Sequence, residues 1–356
     1  MHPPLNILIL GASYGSLLAA KILAAGHAVK LACLPAEADL INAEGARVRM
    51  PVKGRDALFE IDTRTLPGTL TADMPGAIDA AGYDLIVLAM QEPQYRSPGV
   101  RELLDAVARA KLPCMSIMNM PPLPYLARIP GVAVDTLRGA YTEAGVWDHF
   151  DFRVMTLCSP DPQAFRPPGE KPNVLQVRLP TNFKAARFEA DVHTAILRRL
   201  EGEIDAARFE AGGEKIELPV KLRVHDSIFV PLAKWSMLLA GNYRCVQPGG
   251  MRTIRDAVHG DIAKTRAVYD WVAGLCRALG AADTDLVPFE KYANAALSLA
   301  SPSSAARSLA AGALNIERVD RLVQTIAAQT GMRSDEVDLT VAAVDQWLAV
   351  NRQKAA

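Results

Sequence analysis

The sequence predicts an α/β domain with a mostly parallel sheet over residues 1–224 and an all-helical domain over 225–356. Through the first part, apolar segments of strand length alternate with helical segments, which is typical of parallel strands joined by crossover helices. From about residue 226 the segments lengthen and their apolar residues follow helical spacing. A chain of 356 residues also exceeds one usual core, which favours two domains.

The chain opens with a predicted strand, a glycine turn and a helix. The apolar run 6–10 does not alternate with polar residues, which predicts a strand buried on both faces. A tight turn at 11–16 leads into a helix at 17–25. Such a turn presents backbone N–H groups and the positive end of a helix dipole to an anion, most often a dinucleotide pyrophosphate. The candidate cofactor-binding residues of the turn are Gly11, Ala12, Ser13, Tyr14 and Gly15.

The turn departs from the G-x-G-x-x-G fingerprint, because Ser13 stands at the second glycine and Gly15 comes one position early. A shortened variant of the fingerprint is one interpretation. The rival is a G-x-S-x-G nucleophile elbow with Ser13 as the attacking group of a hydrolase. Several strands precede that elbow in α/β hydrolases, whereas this turn follows the first strand. A glycine turn that binds nothing is the third interpretation.

Further apolar runs predict the other strands of the sheet, at 29–33, 84–90 and 114–118. Helical segments lie between them, at 36–45 and 99–110. Two more strands are expected on the far side of the same sheet, at 152–157 and 174–179, with a proline-rich loop at 159–172 between them and a helix at 190–202 after them. In the second domain, helical spacing recurs at 232–240, 262–279 and 316–330.

Composition points away from several classes of protein. Thirty-nine basic residues balance thirty-nine acidic ones, so there is no electrostatic reason to expect nucleic acid or a membrane surface as a partner. The five cysteines are odd in number and never spaced as C-x-x-C, which indicates neither a disulfide framework nor a metal site and favours a reducing cytoplasm. The apolar N-terminus carries Lys21 and glycines, which argues against a signal peptide or membrane span.

Ligands of open α/β sheets bind at the carboxyl ends of the strands. After the second strand, where an acid would select NAD and an arginine NADP, the chain has Leu34 and a proline. Glu37 and Asp39 follow late and are interpreted as a solvated helix start, which leaves the cofactor choice open. Gln91 and Asn119 come after two later strands. The Asn119 amide is interpreted either as a donor to a cofactor ribose or substrate oxygen, or as a turn former.

Two polar constellations stand out in the helical domain. Lys234 and Asn242 are eight residues apart, about two helical turns or 12 Å along the axis, which predicts that they share one face. An ammonium on such an apolar face is either a snorkelling surface charge or a catalytic acid. Ser303 and Ser304 form part of a serine cluster that by itself is typical of a helix N-cap, and Glu317 follows them.

Taken together, these features resemble the ketopantoate reductase (2-dehydropantoate 2-reductase) family over most of the chain. The resemblance rests on the glycine turn, Asn119, the Lys234 helix and the serines followed by Glu317. It implies a Rossmann-type domain followed by a helical domain of the 6-phosphogluconate dehydrogenase C-terminal type. It also implies NADP as cofactor, with NAD as the alternative, a small 2-oxo acid or related carbonyl as substrate, and a homodimer.

The resemblance further implies roles for individual residues. Lys234 would be the general acid, Glu317 would orient and polarise it, and Asn119 would bridge cofactor and substrate. Gln91 takes the place of a lysine that contacts the cofactor, and Leu238 takes the place of an asparagine four residues after the catalytic lysine. The implied substrate-binding residues are Asn242, Ser303 and Ser304. Two alternatives stay open: opine-type reduction of an imine formed from an oxo acid and an amine, and a non-catalytic nucleotide-binding protein.

Overall fold

A computed structural model describes residues 3–211 and 213–355. Contacts between residues divide the chain into two compact units. Unit 1 comprises Met1–Met90, Gln94–Met118 and Val146–Asp226, and unit 2 comprises Gln91–Pro93, Asn119–Gly145 and Ser227–Ala356. The last change of unit lies beside the predicted boundary at 224/225, and unit 2 takes in two earlier segments as well.

Unit 1 contains fourteen of the strands in the described residues: β1 (Asn6–Leu10), β2 (Ala28–Ala32), β3 (Arg47–Met50), β4 (Phe59–Asp62), β5 (Thr69–Asp73), β6 (Leu85–Leu88), β7 (Cys114–Ile117), β8 (Met155–Ser159), β9 (Gln163–Phe165), β10 (Val174–Leu179), β11 (Phe183–Ala186), β12 (Phe209–Ala211), β13 (Glu214–Ile216) and β14 (Leu222–His225). The α-helices of both units, in chain order, are α1 (Ala12–Ala24), α2 (Pro35–Glu44), α3 (Val100–Arg109), α4 (Leu123–Leu126), α5 (Asp191–Ala206), α6 (Lys234–Met237), α7 (Ile254–His259), α8 (Ile262–Ala278), α9 (Phe289–Ala296), α10 (Ser304–Ala310), α11 (Val319–Gln329) and α12 (Asp335–Ala355).

The principal sheet has eight strands in the order β14-β11-β8-β7-β6-β1-β2-β5. Its neighbouring strands are parallel except for β8 and β11. β1 lies between β2 and β6, so the strand order reverses there, and residues 7–10 are fully buried as the unbroken apolar run predicts. The glycine turn therefore stands at the switch point of the sheet, where doubly wound folds bind their ligands. The predicted Rossmann-type arrangement is confirmed.

The placement of residues 174–179 on the far side of this sheet is wrong. They form β10, which belongs to a separate four-stranded sheet of order β4-β3-β10-β9 and pairs in parallel with β3. The expected loop 159–172 contains β9, which pairs with β10 in antiparallel fashion. An apolar strand pattern predicts which side chains are buried but does not identify the neighbouring strand.

Unit 2 is helical apart from a hairpin of two-residue strands, β15 (Val246–Gln247) and β16 (Gly250–Met251). α8, α11 and α12 are its longest helices, and the predicted segments at 262–279 and 316–330 correspond to α8 and α11. The predicted division into an α/β part and a helical part is therefore confirmed. Within 3–211 and 213–355, no helix combines the length and apolar character that crossing a bilayer requires.

Candidate functional site

The glycine turn of unit 1 is built for close approach of the backbone. Gly11 has φ of 104°, and a Cβ atom there would lie 2.6 Å from Met90 Cγ and 2.8 Å from the Ala89 carbonyl oxygen. A Cβ atom on Gly15 would lie 2.7 Å from Ile9 Cγ2, so α1 packs tightly behind β1. Both glycines are thus required by sterics. Gly11 is the N-cap of α1 and carries no side chain, which leaves the first amides of the helix without a side-chain cap.

The other residues of the turn differ in their surroundings. Ala12 is buried and Ser13 is exposed in the first turn of α1. The Tyr14 hydroxyl donates a 2.7 Å hydrogen bond to the Pro162 carbonyl, and its ring packs edge-on against Phe183. Burial raises the pKa of this phenol well above its usual value. Because the Tyr14 hydroxyl is already bonded within unit 1, Tyr14 is suited to meet an anion through its backbone.

The helix that follows β2 carries a buried acid. α2 begins at Pro35, and Glu37 in its first turn is 9% exposed and forms an ion pair with Arg166. The interpretation of Glu37 as part of a solvated helix start is therefore wrong, whereas Asp39 is exposed. Local sequence gives no sign of this burial, because Arg166 comes from the segment between β9 and β10, distant in the sequence.

Unit 2 contains a pocket into which several of the predicted site residues project. Three of the side chains that line the pocket are apolar, and the others carry amide, hydroxyl or carboxylate groups. The lining residues are Gln91, Asn119, Leu238, Asn242, Tyr243, Ser304, Ala305, Ser308, Ile316 and Glu317.

Glu317 is the acid of this pocket. Its Oε2 accepts a 3.3 Å hydrogen bond from Asn119 Nδ2, and its Oε1 accepts a 3.4 Å hydrogen bond from the Glu92 backbone N–H. Burial raises the pKa of Glu317 to about 7, and the Glu92 carboxylate adds to the rise. The hydrogen bonds and the Lys234 ammonium oppose that rise. A carboxyl group with such a pKa changes its protonation state near neutral pH.

Lys234 lies in an irregular helical stretch. α6 is followed by a π-helical turn at Leu238–Asn242 and a 3₁₀ turn at Tyr243–Cys245. Residues eight apart in a regular α-helix differ by about 80° in direction, and the extra residue of a π turn reduces this difference. The π turn thus brings Asn242 towards the direction of Lys234. Lys234 is half-buried and does not line the pocket, but it lies close enough to lower the pKa of Glu317.

Most of the other candidate residues line the pocket, and one supports it from outside. Asn119, Asn242, Ser304 and Gln91 line the pocket, and in the described structure the buried Oδ1 of Asn119 has no hydrogen-bond partner. Ser303 does not line it. The Ser303 hydroxyl donates a 2.7 Å bond to the Asn242 carbonyl and accepts from the Ala306 N–H as the N-cap of α10. Its position is that of a helix cap, which the serine cluster suggests when taken by itself.

Three residues of the site were not singled out by the sequence. Ser308 lines the pocket one helical turn after Ser304, a spacing that could have been found once α10 was assumed. Tyr243 donates from its hydroxyl to the Glu317 carbonyl at 2.5 Å. Glu92 is buried and accepts hydrogen bonds from the Thr142 N–H and hydroxyl at 3.0 and 2.8 Å. No sequence pattern marks the last two. The described residues contain no group of three His, Cys, Asp or Glu side chains placed to hold a metal ion.

No family model matches the chain, and no curated protein matches it in sequence. Solved structures do match over nearly its whole length. A PanE/ApbA family ketopantoate reductase from Ralstonia eutropha is 18% identical, with 98% of this chain and 99% of that chain covered and a TM-score of 0.62. A 2-dehydropantoate 2-reductase from Methylococcus capsulatus is 14% identical, with 98% of each chain covered and a TM-score of 0.63. D-mandelate dehydrogenase, solved with NADH and anilino(oxo)acetate, is 11% identical, with 98% and 99% covered and a TM-score of 0.61. The chain shares the fold of these proteins.

Proposed function

We propose that this protein is an NAD(P)H-dependent reductase of the carbonyl group of a small 2-oxo acid. The observation that carries the proposal is the unit 2 pocket, where Glu317 with its pKa near 7 meets amide and hydroxyl groups. The shared fold adds support, because proteins that bear it are described as reductases of oxo acids and as a dehydrogenase solved with NADH.

The glycine turn fits the diphosphate of a nicotinamide dinucleotide. A side chain at Gly11 would be excluded by Ala89 and Met90, and the uncapped amides at the start of α1 suit an anion. The cofactor, when bound, supplies the hydride. In this proposal the backbone of residues 11–15 holds the diphosphate, while Gln91 and Asn119, which follow β6 and β7 in sequence, are assigned to cofactor contacts. The free Oδ1 of Asn119 gives that residue an acceptor to offer to a ligand.

The chain's own part in the chemistry is to supply a proton and stabilise charge. When hydride reaches the carbonyl carbon, negative charge grows on the oxygen and a proton must follow to give the alcohol. We assign the general acid to Lys234 and the orientation and polarisation of its ammonium to Glu317. Because the pKa of Glu317 lies near 7, Glu317 exchanges protons readily at neutral pH and can help to reprotonate Lys234.

The remaining pocket residues suit a small oxo acid. Asn242 and Ser304 are assigned to the substrate, and Ser308 offers a further hydroxyl on the same face of α10. Ser303 supports this set from behind, because it holds the main chain of Asn242 and caps α10. Leu238 and Ile316 add an apolar wall, which favours a substrate whose remaining side chain is apolar. The homodimer expected from the resemblance remains part of the proposal, and sedimentation of the purified protein tests it.

The test is oxidation of NADH and NADPH by the purified protein with a panel of 2-oxo acids, each with and without amines. A positioned general acid contributes about 10²- to 10⁴-fold to rate, so Lys234→Ala is expected to lose that much turnover. Lys291→Ala, which removes an exposed lysine of unit 2, is the control and should keep full activity. Turnover only with amines would indicate imine reduction. Cofactor binding without turnover on any member of the panel would contradict the reductase and favour the non-catalytic alternative.

A further inference from the structure

Two ion pairs involve β2 and the helix that follows it. Glu37, in the first turn of α2, contacts the guanidinium of Arg166. Asp73, at the end of β5, contacts Lys30 at 3.3 Å, and its backbone carbonyl accepts a 3.0 Å hydrogen bond from the Cys33 N–H. Glu37 and Asp73 are thus each paired with one cation.

The thiol of Cys33, the residue directly after β2, is influenced by charged groups of both ion pairs. Burial raises the pKa of the Cys33 thiol to about 11, Arg166 lowers it and Asp73 raises it further. Both charged groups therefore act on the position directly after β2. Arg166 is partly exposed, with 36% of its side chain accessible, so its guanidinium can be reached from solvent.

This position determines cofactor choice in doubly wound sheets. An acid about 20 residues after the glycine turn accepts a hydrogen bond from the adenosine 2′-hydroxyl of NAD, whereas a nearby arginine accommodates the 2′-phosphate of NADP. Glu37 comes 22 residues after Gly15. A phosphate group carries a charge of about −1.5 to −2 at neutral pH. It would be repelled by Glu37, because an approach to the exposed side of the Arg166 guanidinium also brings the phosphate near the carboxylate that contacts it.

We infer that the chain selects NADH over NADPH, with Glu37 as the acceptor for the adenosine 2′-hydroxyl and Arg166 as the residue that holds the carboxylate in place. This inference rests on the proposed function, since it concerns the cofactor of that reaction. Because Arg166 is paired with Glu37, a 2′-phosphate beside this pair would meet the Glu37 carboxylate as well as the guanidinium, whereas a 2′-hydroxyl could donate to the carboxylate. This difference favours NADH.

The test is titration of the purified full-length protein with NADH and NADPH, followed by nicotinamide fluorescence. The unchanged protein should bind NADH at least about tenfold more tightly. A hydrogen bond to a charged group corresponds to about 10- to 100-fold in affinity, so Glu37→Ala should weaken NADH by that factor. The same change frees Arg166, so NADPH should bind more tightly. Asp39→Ala, which removes an exposed acid from the same helix, is the control and should leave both affinities unchanged.

Two further variants separate the inference from its rival. Glu37→Gln keeps the size of the side chain and removes its charge, so it should shift the preference in the same direction if Glu37→Ala does not fold. Arg166→Ala should not improve NADPH binding and should leave NADH preferred. If Arg166 instead reads the 2′-phosphate, Arg166→Ala will weaken NADPH alone, and the unchanged protein will prefer NADPH, which overturns the inference. Equal affinities also overturn it, while leaving the proposed function intact. Failure to bind either nucleotide overturns both.

Discussion

Replacement of Glu317 by glutamine should stabilise the protein at alkaline pH and not at acidic pH. The pKa of Glu317 is raised from 4.5 to about 7, chiefly because the carboxylate is buried. The folded chain therefore holds a proton at this site that the unfolded chain releases between pH 4.5 and 7. The linkage relation then requires stability to fall as pH rises through this window. The cost of the buried charge is absent below pH 4.5 and fully present above pH 7.

The size of the effect follows from the two pKa values. Each pKa unit corresponds to about 1.4 kcal/mol, so a rise from 4.5 to about 7 gives an upper limit of about 3.5 kcal/mol. Glutamine is neutral at every pH. Its single oxygen can accept from the Glu92 backbone N–H, and its NH2 group can donate to Oδ1 of Asn119 once the Asn119 amide is turned over. Relative to the unchanged protein, Glu317→Gln should therefore gain about 2–3 kcal/mol in unfolding free energy between pH 5 and pH 8.

The assay is urea unfolding of both proteins at pH 5 and pH 8, followed by circular dichroism. Glu290→Gln is the control, because Glu290 is exposed, pairs with Arg266 and has its pKa lowered chiefly by that contact. The control variant should gain no stability between the two pH values. A difference between Glu317→Gln and the unchanged protein that is the same at both pH values would refute the assignment of a buried, charge-penalised carboxylate.

Three further changes test other parts of the structure. Burial lowers the pKa of Lys21 to about 7, so the cost of burying its charge is complete below pH 7 and vanishes as pH rises towards 10.5. In urea unfolding, Lys21→Met should gain up to about 4 kcal/mol over the unchanged protein at pH 6 and clearly less at pH 9. An equal gain at both pH values would contradict this. Asp320 is fully buried, and each of its two carboxylate oxygens accepts a 2.9 Å hydrogen bond from Arg318. Asp320→Ala should therefore lower the free energy of unfolding by about 3–5 kcal/mol. A loss under about 1 kcal/mol would show that the pair is dispensable. Leu238→Asn adds an amide to the pocket wall and should raise the kcat/KM ratio of hydroxylated over unsubstituted 2-oxo acids by about tenfold. An unchanged ratio would place Leu238 outside the substrate's reach.

The sequence was most informative where the fold depends on contiguous residues. An unbroken apolar run predicts that β1 lies inside a parallel sheet, and two glycines at the end of the run predict the turn. The sheet to which β10 belongs could not be predicted in this way, because pairing with β3 joins residues more than a hundred positions apart. The ion pair of Glu37 and Arg166 is hidden for the same reason.

The residues of the candidate site could also be predicted only in part from the sequence. Asn119, Asn242, Ser304 and Glu317 come from separate segments and line one pocket, an arrangement that only the family resemblance suggests. Their roles remain proposals. Glu92 could not be found from sequence, because its importance comes from a backbone N–H that faces Glu317 and from a side chain anchored by Thr142.

The geometry of the pocket depends on a connection between two distant parts of unit 2. The irregular stretch from Lys234 to Cys245 contains Tyr243. The Tyr243 hydroxyl donates to the Glu317 carbonyl and accepts from the Val319 N–H at 3.1 Å. Ser303 joins the same stretch to α10 through the Asn242 carbonyl. Each of these hydrogen bonds joins a side-chain hydroxyl to a backbone group, so together they fix the backbone positions from which the pocket side chains project. Tyr243 and Ser303 thus set the position of Glu317 relative to Asn242. A Tyr243→Phe change, which removes only the anchoring hydroxyl, should therefore disturb the site.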